Sequence, residues 1–134
     1  MKVMVTGAFG QLGSSLKNSL PENSENVRTG IHIPYREKGI RLDILDRKNL
    51  KEIINLHKPD IIVNLAAITN VDTCEKNPIL AREINVNGVY NICDLFDGKI
   101  IQISSDYIFD GKNGPYKEED KPSPLSSYGK TKLE

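Results

Sequence analysis

Lys2-Val3-Met4-Val5-Thr6-Gly7-Ala8-Phe9-Gly10-Gln11-Leu12-Gly13 is the stretch on which the fold turns. Its first five residues are rich in β-branched side chains and are ended by Gly7, so they read as a strand. Leu12, Leu16 and Leu20 then recur at helical spacing, with Pro21 as the stop. Between strand and helix stand three glycines, each with a task. Gly7 permits a tight turn, Gly10 lets a dinucleotide pyrophosphate approach the backbone, and Gly13 lets helix pack on strand. The free N–H groups of the helix N-terminus would face the phosphates. Glycines alone serve a plain turn equally well. Their place at the first strand-to-helix turn is what predicts dinucleotide binding.

The remaining elements extend this beginning. Val27 to Ile33 reads as a second strand, blurred by Gly30, and Gly39 to Leu42 as a third. Asp46 caps a helix in which Leu50, Ile53, Ile54 and His57 fall at i, i+3, i+4 and i+7, ended by Pro59-Asp60. Ile61 to Ala67 is almost wholly apolar, as expected of a strand buried on both faces. One helix is predicted from about Pro78 to Phe96, and Lys99 to Ser104 reads as a fifth strand. Asp110 to Pro124 is rich in Gly, Pro, Asn and charge and reads as a loop, either a cover for a substrate cleft or a solvated connector. From Pro124 another helix opens. Strands alternating with helices predict an α/β fold, a Rossmann-type open parallel sheet with helices on both faces and strand order 3-2-1-4-5.

The 134 residues suggest one domain over 1–134, long enough for a real core. Basic and acidic residues number 18 each, so net charge draws the chain neither to nucleic acid nor to a membrane surface. Apolar runs fall far short of the roughly 20 residues of a membrane span, and the first residues lack a signal-peptide pattern. Cys74 and Cys93 make neither a disulfide framework nor a zinc site and read as free thiols. His57 suits the dipole at a helix end, and no second metal ligand stands at useful spacing. The expectation is a soluble, cytoplasmic protein without a metal, a nucleic acid or a membrane as partner.

Several further positions carry chemistry. The end of the second strand usually holds an acid in an NAD-selective dehydrogenase. Here Val27-Arg28-Thr29-Gly30-Ile31-His32 has none. Arg28 or Arg36 can meet a 2′-phosphate as a fork of donors, or each can be a solvated surface charge. The stretch leans to NADP(H) over NAD(H). Asp43 is a candidate partner for the adenine amine, or a helix cap. Asn85 shares the stripe Ala81, Ile84, Gly88, Ile92, Leu95, where a buried amide must be bonded to backbone or water near the site. With the stripe rotated slightly, Asn85 is exposed instead. Ser104-Ser105-Asp106 follows the fifth strand, at the sheet end where ligands bind, although serines there also form turns.

Tyr128 and Lys132 stand at i and i+4 and share a helix face. An ammonium near a phenol favours the phenolate and makes it a usable proton donor or acceptor closer to neutral pH. A hydroxyl such as that of Ser105 would hold a carbonyl oxygen beside it. Hydride from a nicotinamide would attack the carbonyl carbon while Tyr128 supplies the proton.

In the order glycine turn, strand-end serine, Y-x-x-x-K, the chain resembles the extended short-chain dehydrogenases/reductases, and within them the dTDP-4-dehydrorhamnose reductase group. The resemblance runs along all 134 residues. It rests on TGAFGQLG (Thr6–Gly13), LDILD (Leu42–Asp46), PDIIVNLAAITNVDTCE (Pro59–Glu75), INVNG (Ile84–Gly88), SSDYIFDG (Ser104–Gly111) and YKEEDKPSPLSSYGKTKLE (Tyr116–Glu134). Val71, Asp72 and Glu75, with Asp106, Tyr107, Phe109 and Asp110, are what make it specific to that group.

The resemblance implies that Ser105, Tyr128 and Lys132 are catalytic and that Lys132 also binds the nicotinamide ribose. It assigns Gly7, Gly10, Gln11, Leu12 and Gly13 to the phosphate turn, and Asp43 and Ile44 to the adenine pocket. Ala66, Ala67 and Thr69 would form the wall near ribose and nicotinamide, and Asp106 and Tyr107 would face the sugar. The implied reaction is NAD(P)H-dependent reduction of the 4-keto group of a nucleotide-linked 6-deoxysugar, the last step toward dTDP-L-rhamnose. A homodimer stays open. The family continues for well over a hundred residues beyond the lysine of Y-x-x-x-K, so the chain reads as an incomplete copy without the substrate lobe. Three other readings remain: a non-catalytic regulator similar to the regulatory subunit of methionine adenosyltransferase, which shares SSDY, FDG and YGKTKL; a reductase or epimerase of another nucleotide-sugar; and a cofactor-binding fragment without turnover.

Overall fold

The computed structural model describes all 134 residues, Met1–Glu134. They form two compact units, one of residues 1–66 and 88–103, the other of residues 67–87 and 104–134.

The first unit holds the sheet. Its strands are β1 (Lys2–Thr6), β2 (Glu25–Gly30), β3 (Ile40–Arg41), β4 (Ile61–Asn64) and β5 (Lys99–Gln102), in the order β3-β2-β1-β4-β5. All pairings are parallel, with Val3 opposite Asn26 and Ile61, and Ile62 opposite Ile100. This is the doubly wound, Rossmann-type order that the alternating pattern predicts.

The central strands are apolar on both faces because both are covered. Met4 and Ile62 point to the face packed by α2 (Arg47–His57) and α5 (Gly88–Leu95), through Leu50, Ile53, Ile54 and Ile92. Val3, Val5 and Val63 point to the other face, against Leu16 and Leu20. Each such aliphatic side chain contributes roughly 1.5–3 kcal/mol through burial. Asp46 caps α2 as expected, its side chain accepting from the Asn49 N–H at 3.0 Å.

Several boundaries differ from the expected ones. The first helix, α1, is only Gln11–Leu16; the chain unwinds into turns before Leu20, and Leu12 is 52% exposed. β2 begins earlier and stops at Gly30, because pairing with β1 recruits the polar Glu25 and Asn26. β4 stops at Asn64 rather than Ala67. There Asn64 Oδ1 accepts from Thr6 Oγ1 at 2.5 Å and from the Ala66 N–H at 3.3 Å, and local bonding of this kind competes with the ladder. β5 likewise stops at Gln102, short of Ser104.

The second unit is built from α3 (Val71–Lys76), α4 (Pro78–Arg82), a π-helical turn Glu83–Asn87, a 3₁₀ turn Asp106–Ile108 and α6 (Ser127–Leu133). The single helix expected from Pro78 to Phe96 is therefore α4, the π turn and α5 in succession. α3 has no counterpart in the sequence reading. Asn70 caps it by accepting from the Thr73 N–H at 2.8 Å, and Asn77 with Pro78 starts α4 afresh. Cys74, Ala81 and Tyr128 form this unit's buried cluster, flanked by Ile68 and Val71. No regular element lies between Phe109 and Ser126, as expected of the loop. It has its own packing: Phe109 and Tyr116 stack at 4.4 Å, and the Tyr116 hydroxyl donates to Asp110. No helix of the chain is long and apolar enough to cross a membrane.

Candidate functional site

The glycine turn belongs to the first unit. Gly7 has φ +64°, and a Cβ there would lie 2.7 Å from the Ala66 nitrogen, so both the backbone angle and the approach to the end of β4 demand glycine. A Cβ on Gly13 would lie 2.6 Å from the Ala8 backbone, which fixes how closely α1 sits on the turn. Gly10, the residue before α1, is exposed, and a Cβ there would meet only the Gly7 oxygen, at 3.5 Å. The turn therefore has two closed glycines and one open to an incoming group. Gln11 and Leu12 follow it on the exposed side of α1.

The other expected cofactor residues of this unit fall into distinct settings. Asp43 Oδ1 accepts from the Leu45 N–H at 2.9 Å, so it caps its own turn. Ile44 is buried in the core against Gly88, and its carbonyl accepts from Asn91 Nδ2 at 3.0 Å. Arg36 is exposed and lines a cleft of about 610 Å³ with Lys17, Lys38 and Asn26. Arg28 is no surface charge: its side chain is 9% exposed and donates to Glu37 Oε2 at 2.6 Å. The Arg28 guanidinium, then the Lys17 ammonium, hold the Glu37 carboxyl below its ordinary value. Ala66 is half-buried at the end of β4.

The second unit holds Ser105, Tyr128 and Lys132. Ser105 caps the 3₁₀ turn, its Oγ accepting from the Tyr107 N–H at 3.2 Å and donating to Asp106 Oδ1 at 3.3 Å. It thus performs the turn-forming task too. Tyr128 is buried on α6 and meets the Tyr107 ring edge-to-face, centroids 5.6 Å apart. Lys132, one turn on, is half-buried, and that burial lowers its pKa from the ordinary lysine value. Asp106 is exposed and Tyr107 is 49% exposed. Ala67 is half-buried and Thr69 exposed on the segment after β4.

Three residues position α6, and of these the sequence pattern points only to Asn85. Asn85, buried in the π turn, accepts from the Ile68 N–H at 2.8 Å and donates to the Ile68 carbonyl and to Thr131 Oγ1, both at 3.0 Å. Its amide thus ties the segment between Ala67 and Thr69 to α6. π turns are frequent at functional sites. Glu75 accepts from the Ser127 N–H at 2.5 Å and from Ser127 Oγ at 3.0 Å, which lowers its own pKa and closes the N-terminus of α6. Gly129 is the third. A Cβ there would lie 2.2 Å from the Tyr107 carbonyl oxygen, so α6 rests directly on the turn that carries Ser105. A glycine inside a helix, between the two residues of the motif, was its available signal.

Comparison with known proteins places the chain in a family. The family model described as RmlD substrate binding domain matches residues 1–134. Methionine adenosyltransferase 2 subunit beta of Bos taurus is 38% identical over 136 residues, covering 99% of this chain and 41% of that protein. The crystal structure of a hypothetical dTDP-4-dehydrorhamnose reductase from Sulfolobus tokodaii superposes with a TM-score of 0.87 at 40% identity, covering 99% of this chain and 50% of the other. The dTDP-4-dehydrorhamnose reductase of Bacillus anthracis in complex with NADP gives a TM-score of 0.85 at 34% identity, covering 98% of this chain and 46% of that one. The chain spans about half the length of the relatives it matches.

Proposed function

Because this chain belongs to the RmlD substrate binding domain family, we propose that it is the cofactor-binding and proton-donating half of an NADP(H)-dependent reductase of a nucleotide-linked 4-keto-deoxysugar. The observation that carries this reading is the seating of α6 on the 3₁₀ turn at Gly129, which puts Ser105, Tyr128 and Lys132 in one compact unit. The turn at Gly7, Gly10 and Gly13 fits a dinucleotide diphosphate, since its open side is the exposed Gly10.

A bound reduced nicotinamide would supply hydride to the keto carbon. Ser105 Oγ holds the keto oxygen by turning its one proton to it from Asp106 Oδ1. Tyr128 releases its phenolic proton to that oxygen, giving the alcohol. Lys132, one helical turn on from Tyr128, stabilises the phenolate left behind. Asp106 and Tyr107, on the exposed side of the turn, contact the sugar. NADP(H) is favoured because Gly30 stands where an NAD-selective acid would, and a Cβ there would meet the Phe9 ring at 3.0 Å. The NADP in the Bacillus anthracis relative supports the same choice.

Titration with NADPH and NADH, followed by nicotinamide fluorescence, tests the reading. Saturable binding with NADPH the tighter ligand is the expected result. Absence of binding at millimolar concentrations of both counts against it. The 38% identity to a methionine adenosyltransferase subunit supports a second reading, a non-catalytic subunit. Cofactor binding without reduction of any 4-keto nucleotide-sugar by the full-length protein would favour it.

A further inference from the structure

We propose that Arg28 is a positioning residue of the glycine turn, holding the turn's shape from the neighbouring strand while taking no phosphate of the cofactor itself. The proposal rests on the cofactor reading above and concerns the same turn.

Ala8 and Phe9 are the two residues between Gly7 and Gly10, so their backbone is the turn. β2 holds both polar groups of Ala8. Its N–H donates to the Thr29 carbonyl at 3.0 Å, and its carbonyl accepts from Arg28 Nη2 at 3.1 Å. The guanidinium also lies over the Phe9 ring, with Cζ 4.5 Å from the centroid. Two glycines leave room for that ring. A Cβ on Gly39 would be 2.2 Å from Phe9 Cζ, and one on Gly30 would be 3.0 Å from Phe9 Cδ2. The turn is therefore gripped at Ala8 by hydrogen bonds and at Phe9 by a cation and two bare backbones.

The same contacts argue against Arg28 as a phosphate ligand. A 2′-phosphate is taken by a free fork of guanidinium donors. Here Nη1 donates to Glu37 at 2.6 Å and Nη2 to Ala8, and Lys17 Nζ reaches the same Glu37 oxygen at 3.3 Å. The carboxylate at this end of the guanidinium would repel a phosphate. Nε is buried without a partner. A buried, incompletely satisfied arginine costs stability, and its retention beneath the turn accords with a positioning role.

Cofactor titration of the native chain, Arg28→Met and Arg28→Lys with both NADPH and NADH, combined with amide hydrogen exchange, tests the proposal. In Arg28→Met both dissociation constants should rise together, about tenfold, the scale of one charge-assisted hydrogen bond. Their ratio should stay within about twofold, and the Ala8–Gly13 amides should exchange faster while those of β4 do not. Arg28→Lys should show a smaller parallel loss, and it carries the test if Arg28→Met does not fold. A loss confined to NADPH would make Arg28 a 2′-phosphate ligand and overturn the proposal. Unchanged affinity for both cofactors in a folded Arg28→Met, or in Arg28→Lys where only that variant folds, would also overturn it. If the native chain binds neither cofactor, the cofactor reading fails separately. Faster exchange confined to Ala8–Gly13 in either variant would then still support the positioning role, and unchanged exchange would refute it.

Discussion

Gly129 has no room for even one more carbon, and the cost of giving it one can be stated. With the Tyr107 carbonyl oxygen 2.2 Å from a new Cβ, Gly129→Ala forces α6 off the turn that carries Ser105. Overpacking of this kind costs roughly 1–3 kcal/mol, more than the gain in helix propensity. Urea unfolding should show a lower midpoint, and a midpoint equal to or above the native one would contradict the seating of α6. Lys132 makes a separate prediction. Burial lowers its folded pKa below the unfolded value, so the folded state sheds this proton first. Its contribution to stability must rise with pH above the depressed value and level off past the ordinary lysine value. Urea unfolding between neutral pH and about pH 10.4 should show that rise in the native chain and not in Lys132→Met. These roles were unequally legible. Tyr128 and Lys132 announce themselves by spacing, whereas the tasks of Gly129 and Glu75 depend on which surfaces meet.

At the scale of elements, every expected strand is present, whereas the helices read unevenly: α2 stands as expected, and the helices of the second unit do not. β1 and β4 are buried on both faces, so their composition alone identifies them. α3 is six residues long, and only Cys74 among them is fully buried, too little for a period to show. The π turn leaves no trace in hydrophobic spacing, because it is set by the bonds of Asn85 to Ile68 and Thr131. α6 owes its start to two caps, Ser126 Oγ accepting from Gly129 N–H at 3.0 Å and Glu75 accepting from Ser127. Glu75 has a lowered folded pKa, so its support is present above its ordinary value and is lost as pH falls through the folded one. Glu75→Ala should speed amide exchange throughout α6 at pH 7 and leave the exchange rates of α2 unchanged. Equal rates in α6 would show that Ser126 suffices alone.

At the scale of the whole molecule, the strand order was legible and the division into two units was not. Contacts distant in sequence create that division, joining residues 67–87 to residues 104–134. The first unit also carries an apolar groove of about 290 Å³, lined by Leu12, Leu16, Leu20, Ile61, Ile101 and Ile103 among others. With formal net charge +0, little repulsion opposes association through such a surface. Ile103→Lys should reduce binding of a hydrophobic dye and raise solubility, with stability changed by no more than about 0.5 kcal/mol, as at other surface sites. Unaltered dye binding would mean that the dye reports some other surface.

Cys74 and Cys93 are both free, the first buried and the second exposed. Cys74 lies in the cluster with Tyr128, and burial, then the nearby Glu75 charge, raise its thiol pKa. The chain therefore carries its own stopwatch. With an excess of a thiol-specific reagent, one equivalent should be consumed at once, at Cys93. The second should be consumed only as fast as the cluster around Tyr128 opens, and the interval between the two would time that opening.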